Sequence, residues 1–163
     1  MASAGRHQAG SPAALVDAAA RGDVRAIEAL VGVGADVNAA APGGETPLHA
    51  ACEQDQLGAV KALLDAGADP DVKDARGSTC LHNAVATGGA AEAEMLLDGG
   101  ADLALVDARG RTALQLAAEG RQGHIVDLLL ARGADARGLG AARSTPAIEA
   151  KLREAAARPP AST

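Results

Sequence analysis

Apolar residues in this chain fall into short runs with helical spacing, and the runs come in pairs. One pair is Leu48 to Ala51 followed by Val60, Leu63 and Leu64. The next is Leu81 to Val85 followed by Met95, Leu96 and Leu97, and a third ends in Ile125, Val126, Leu128, Leu129 and Leu130. Each run is too short for a helix that is stable alone. Each predicts one helix of a hairpin that buries its apolar face against a neighbour. The polar punctuation has a fixed period. Gly-Ala-Asp stands at residues 34–36, 67–69, 100–102 and 133–135, always 33 residues apart, and Thr46, Thr79, Thr112 and Thr145 keep the same step. Two markers locked to one period predict a single supersecondary unit stacked several times.

Within residues 73–105, Asp74-Ala75-Arg76-Gly77 reads as a turn. Thr79 then N-caps a short helix that ends near Gly88-Gly89. A second helix follows over Ala91 to Asp98, and Gly100 closes it as a left-handed cap. In the preceding unit Pro47 suits the first helical position. Ala13 to Ala20 and Asp23 to Val31 supply the helices of a first unit, with Arg21, Arg25 and Glu28 outward. Ala147 to Arg158 supplies one closing helix.

Thr46-Pro47-Leu48-His49-Ala50-Ala51 with Val60 to Asp69, Thr79-Cys80-Leu81-His82, and Thr112-Ala113-Leu114-Gln115 with Leu128 to Asp135 resemble the ankyrin-repeat consensus. The resemblance implies an all-α solenoid of stacked helix-turn-helix units with short β-hairpin-like loops. The expected limits are a flexible tail over 1–11 and a repeat domain over 12–158. Its units are 12–39, 40–72, 73–105 and 106–138 with a half-unit at 139–158, and a tail covers 159–163. The first and last units look like caps, which stacked arrays require, so the array reads as nearly complete.

Composition narrows the chemistry. The 163 residues contain no Phe, Trp or Tyr. Thin layers of Leu, Val, Ile and Ala suffice between stacked helices. Single-strand nucleic-acid binders need aromatic stacking platforms, and the net charge is −6, so nucleic acid is not expected. No apolar run approaches the roughly 20 residues that span a bilayer, and Met1 to Gly10 has no signal-like apolar core. Cys52 and Cys80 lack Cys-x-x-Cys spacing, which predicts reduced thiols and an intracellular location, cytoplasm or nucleus. The charge is graded: −6 over 1–72, −3 over 73–105 and +3 over 106–163.

His49, His82, Cys52 and Cys80 could be read as a metal site. The resemblance assigns the histidines instead to hydrogen bonds between the Thr turn and its helix. Helix packing also keeps equivalent positions roughly 10 Å apart. Cys52 reads as core, and Cys80 stands at a helix start where the consensus has proline. His124 reads as solvent-facing. No cofactor or metal is expected, no catalytic constellation is present, and the reading is of a non-enzyme.

The resemblance places partner binding on the hairpin tips and first helices, which line a concave side. Carried over by position, the candidate contacts are Glu45, Glu53, Gln54, Arg76, Ser78, Thr87, Arg109, Arg111 and Glu119. The last of the four tips, opening the half-unit, is Ala141, Ala142 and Ser144. Arg76 and Arg109 fall on successive tips with Arg111 beside them, so the expected partner is a folded protein with an acidic patch, bound by a monomer. The alternative is a substrate-recruiting adaptor or a regulatory or inhibitory subunit of a ubiquitin ligase or kinase complex. Kinase inhibitors of this family shorten the first helix of the second repeat, whereas residues 40–72 keep the full period. Ligase adaptors add a C-terminal docking box, and none is expected after Arg158.

Overall fold

A computed structural model describes residues 11–137, 139 and 145–159. The expected tail over 1–11, all but Ser11, and the last tip at Ala141, Ala142 and Ser144 lie outside the described residues, as do residues 160–163. Nine helices and no strands occur among the described residues. They are α1 (Pro12–Ala20), α2 (Val24–Gly32), α3 (Pro47–Glu53), α4 (Leu57–Asp65), α5 (Cys80–Thr87), α6 (Ala90–Asp98), α7 (Ala113–Glu119), α8 (Gly123–Ala131) and α9 (Pro146–Ala157).

The helices form two layers. First helices α1, α3, α5 and α7 pack in series, and second helices α2, α4, α6 and α8 pack in a parallel series. Each hairpin pair packs internally, and α9 packs on α8. The core is therefore a thin continuous sheet of side chains, with Leu15, Leu48, Leu63, Leu81, Leu96, Leu114 and Leu129 buried in turn. This is the stacked array that the 33-residue period predicts, in the all-α form that the resemblance implies.

The helix starts follow local chemistry. Thr46, Thr79, Thr112 and Thr145 all have extended backbones and accept a hydrogen bond from the backbone N–H three residues on. Such a cap satisfies one of the donors that a helix start leaves orphaned. Pro47 and Pro146 open their helices as expected.

The helix ends are also periodic. Gly22, Asp55, Gly88 and Arg121 follow the first helices at 33-residue intervals, and all four have positive φ, of 70°, 54°, 82° and 57°. The chain must turn left-handed there to enter the second helix. Two units place glycine in that conformation and two tolerate a side chain. At the end of α6, Gly100 has φ 91°, and Ala101 N–H bonds the Leu96 carbonyl at 3.0 Å, the cap expected from sequence.

The tips stack. The Asp74 N–H bonds the Ser78 carbonyl and the Asp107 N–H bonds the Arg111 carbonyl, both at 2.9 Å. A Cβ built on Gly44 would stand 3.5 Å from the Ala75 methyl, and one on Gly77 would stand 3.0 Å from that of Ala108. Successive tips thus touch, and their side chains emerge as a row.

Candidate partner-binding face

Two of the tips are organised by an aspartate, where the first has Ala41. Asp74 Oδ1 accepts the N–H groups of Arg76 and Ser78, at 2.9 and 3.0 Å, and Asp107 Oδ1 accepts those of Arg109 and Arg111, both at 2.9 Å. Burial works to raise the pKa of both carboxyls. The converging N–H donors and the neighbouring guanidiniums outweigh it and hold both below the ordinary aspartate value.

Histidines fix the tips to the helices. The His49 ring meets Thr46 Oγ1 at 2.8 Å through Nδ1 and the Ser78 carbonyl at 3.4 Å through Nε2. His82 repeats this with Thr79 at 2.8 Å and the Arg111 carbonyl at 3.0 Å. A carbonyl can only accept, so Nε2 carries the proton and Nδ1 accepts from the threonine hydroxyl. Each ring therefore does more than the resemblance implies. Each ring holds the next tip, 29 residues ahead, and His82 also closes a capping box at the start of its own helix. Gln115 keeps the local part of this role, with Oε1 accepting the Thr112 N–H at 2.8 Å. His124 is exposed, as read from sequence.

The arginine row is not uniform. Arg76 pairs with Glu53 at the end of α3 and with Asp74 of its own tip. Arg111 donates Nε and Nη2 to Asp107 Oδ2 at 3.0 and 2.8 Å, and Nη1 to Glu119 at 2.9 Å. These carboxylates raise both guanidinium pKa values. Arg109 is exposed, and its guanidinium makes no ion pair or hydrogen bond among the described residues. Among the other candidates, Gln54 and Glu53 are exposed, Glu45 is half-buried, and Ser78 is half-buried with its carbonyl facing His49. The Thr87 hydroxyl folds back onto the Asn83 and Ala84 carbonyls at 3.2 and 3.0 Å. The structure thus sets Glu53 with Arg76 and Arg111 with Glu119 in two ion-paired clusters, leaves Arg109 unpaired among the described residues on the same tip as Arg111, and ties the exposed Thr87 hydroxyl to its own helix.

His49, Cys52, Cys80 and Glu92 form an electrostatically linked group beneath this face: Cys80 and His49 shift each other's titration, and Cys80 and Glu92 both act on Cys52. Cys80 is the first residue of α5 and Cys52 is near the end of α3, so they are not equivalent positions in their units. No three His, Cys, Asp or Glu among the described residues are placed to hold a metal. His82 stays outside the group. Its position raises no thiol contact, and burial lowers its pKa.

The sequence reading also missed Glu92. It is 2 % exposed, and its Oε1 has no hydrogen-bond partner. The signal was available: one period away stand Ala59 and Ile125, both fully buried. Burial, the charge of Asp55 and the neighbouring Cys80 push its pKa up to about 7, opposed by a hydrogen bond from Cys52.

No helix among the described residues is long and apolar enough to cross a membrane. A family model described as ankyrin repeats (3 copies) matches residues 3–74 and 59–138. Repeats of this kind are protein-interaction modules. No curated protein matched the chain. Period, capped helix pairs, stacked tips and this match agree, and the chain belongs to the ankyrin-repeat family.

Proposed function

We propose that the chain is a non-catalytic module that holds a folded protein with an acidic patch on the side formed by the tips and first helices. The observation that supports this is the arginine row, and within it the Arg109 guanidinium, which is unpaired among the described residues. Arg76 and Arg111 are already oriented by carboxylates on both sides. Their role is to hold the row in place and keep the flanking surface near neutral, while Arg109 offers unused donors. Arginine suits this work, because its planar fork recognises carboxylates in pairs and it is enriched at interface hot spots. With no aromatic residue in the chain, any aromatic anchor comes from the partner.

The test compares partners captured from cells by the intact protein, by Arg109→Glu and by a control with Asp17, Asp23 and Glu28 changed to Ala on the first unit. Partners that bind this face are lost or weakened at least tenfold with Arg109→Glu, about 1.4 kcal/mol or more, and are retained by the control. Equal retention by both variants excludes the reading. Arg111→Ala is a poorer probe, because it strips the buried Asp107 of its counter-ion.

A further inference from the structure

The left-handed turns after the first helices hold four residues in one register, and two of them depart from glycine. Gly22 and Gly88 stand there in the first and third units, Asp55 and Arg121 in the second and fourth. The two glycines are covered by the next unit. A Cβ on Gly22 would collide with the Gln56 carboxamide, and one on Gly88 would lie 3.6 Å from that of Gln122. The other two positions differ. Asp55 and Arg121 are exposed, and neither side chain makes an ion pair or hydrogen bond among the described residues. Gly89 takes the Gln56 position in the unit that follows Asp55, so no side chain there reaches back over it.

The turn itself does not ask for these residues. A positive φ suits glycine best, is tolerated by aspartate and strains an arginine. Their charges are also opposite. Asp55 stands two residues beyond Glu53 and Arg121 two beyond Glu119, the carboxylates that meet the tip arginines Arg76 and Arg111. Both turns therefore border the face assigned to partner binding. They lie two units apart, roughly 20 Å for two packed-helix steps.

We infer that Asp55 and Arg121 give this face a polarity: they fix the direction in which a folded partner lies, by meeting a basic group of the partner at the second unit and an acidic group at the fourth. This rests on the binding face proposed above and adds which partners that face selects. Arg109 and Arg121, both in the fourth unit and both unpaired among the described residues, form its positive end. Asp55 forms its negative end. A partner docked the other way round sets like charges against each other at both ends, and that repulsion suppresses the reversed complex.

The probe is a protein that the intact chain captures from cells and that Arg109→Glu fails to retain, identified by mass spectrometry, purified and titrated against variants of the full chain. Glycine fits the backbone of these turns, so Asp55→Gly and Arg121→Gly should each raise the denaturation midpoint while weakening binding by about fivefold or more. Asp55→Lys and Arg121→Asp should weaken it further than the glycine variants do. Added salt should weaken the wild type more than the double glycine variant. Weaker binding by a more stable protein is the signature that a structural role does not produce. Wild-type affinity in either glycine variant overturns the polarity and leaves the tip reading standing. A loss of binding that comes with a lower midpoint overturns it too. If Arg109→Glu retains everything that the intact chain captures, the binding face itself falls, and the polarity with it.

Discussion

Glu92 is the residue whose environment disagrees most with its chemistry, and stability should register it. Its carboxyl titrates near 4.5 when exposed and near 7 in the fold. A raised acid pKa means that the folded state holds a proton the unfolded chain has already released. The contribution of Glu92 to stability is therefore greatest below about pH 4.5, falls as pH rises toward 7, and levels off above, a loss of about 3 kcal/mol from this group. Glu92→Gln should remove that slope and stabilise the protein at about pH 8, with little effect near pH 4.5. Denaturation midpoints at the two pH values measure this, and an unchanged slope would show that Glu92 is solvated. Residue type hid Glu92, because an acidic side chain on a short helix ordinarily marks a solvated face, although its period mates Ala59 and Ile125 are buried. The histidines were legible for the opposite reason. His49 and His82 recur at one register position, and that position has one structural job.

Among the elements, the first-helix ends carry the clearest unrelieved cost. Asp55 and Arg121 hold positive φ where Gly22 and Gly88 stand in the other units. Arg121→Gly should stabilise by about 1 kcal/mol in chemical denaturation, since it removes the Cβ penalty in this region. Asp55→Gly should gain a similar amount and also withdraw a negative charge from Glu92, so its pH-dependent loss should begin at higher stability and run to lower pH. The reverse change, Gly100→Ala, meets open space but a φ of 91°, and should cost about 1–2 kcal/mol. Helix boundaries were readable to within a residue or so because threonine, proline and glycine mark them. The ion pairs were not. Arg76 meets Glu53 only because tip and helix end stack, and a separation of 23 residues carries no local signal.

Across the whole molecule, stability is distributed along a line. Leu96 is fully buried in α6, with neighbouring units on both sides. Leu96→Ala should cost about 2–5 kcal/mol. Leu152 lies on the terminal helix α9, which packs on α8, and Leu152→Ala should cost less than half as much. Equal losses would mean that units do not depend on their neighbours in the way a linear array requires. The stacked helix pairs were legible from the period and the ankyrin resemblance. The binding face was legible only as a set of positions, because which arginine stays free depends on how units stack. The histidine tethers also bear on the history of the chain. His49 and His82 each reach one tip ahead, so copying a 33-residue unit would duplicate both a tether and the carbonyl it holds. A gene encoding such a protein can lengthen by whole-unit duplication, and the new joint inherits its fastening from the old one.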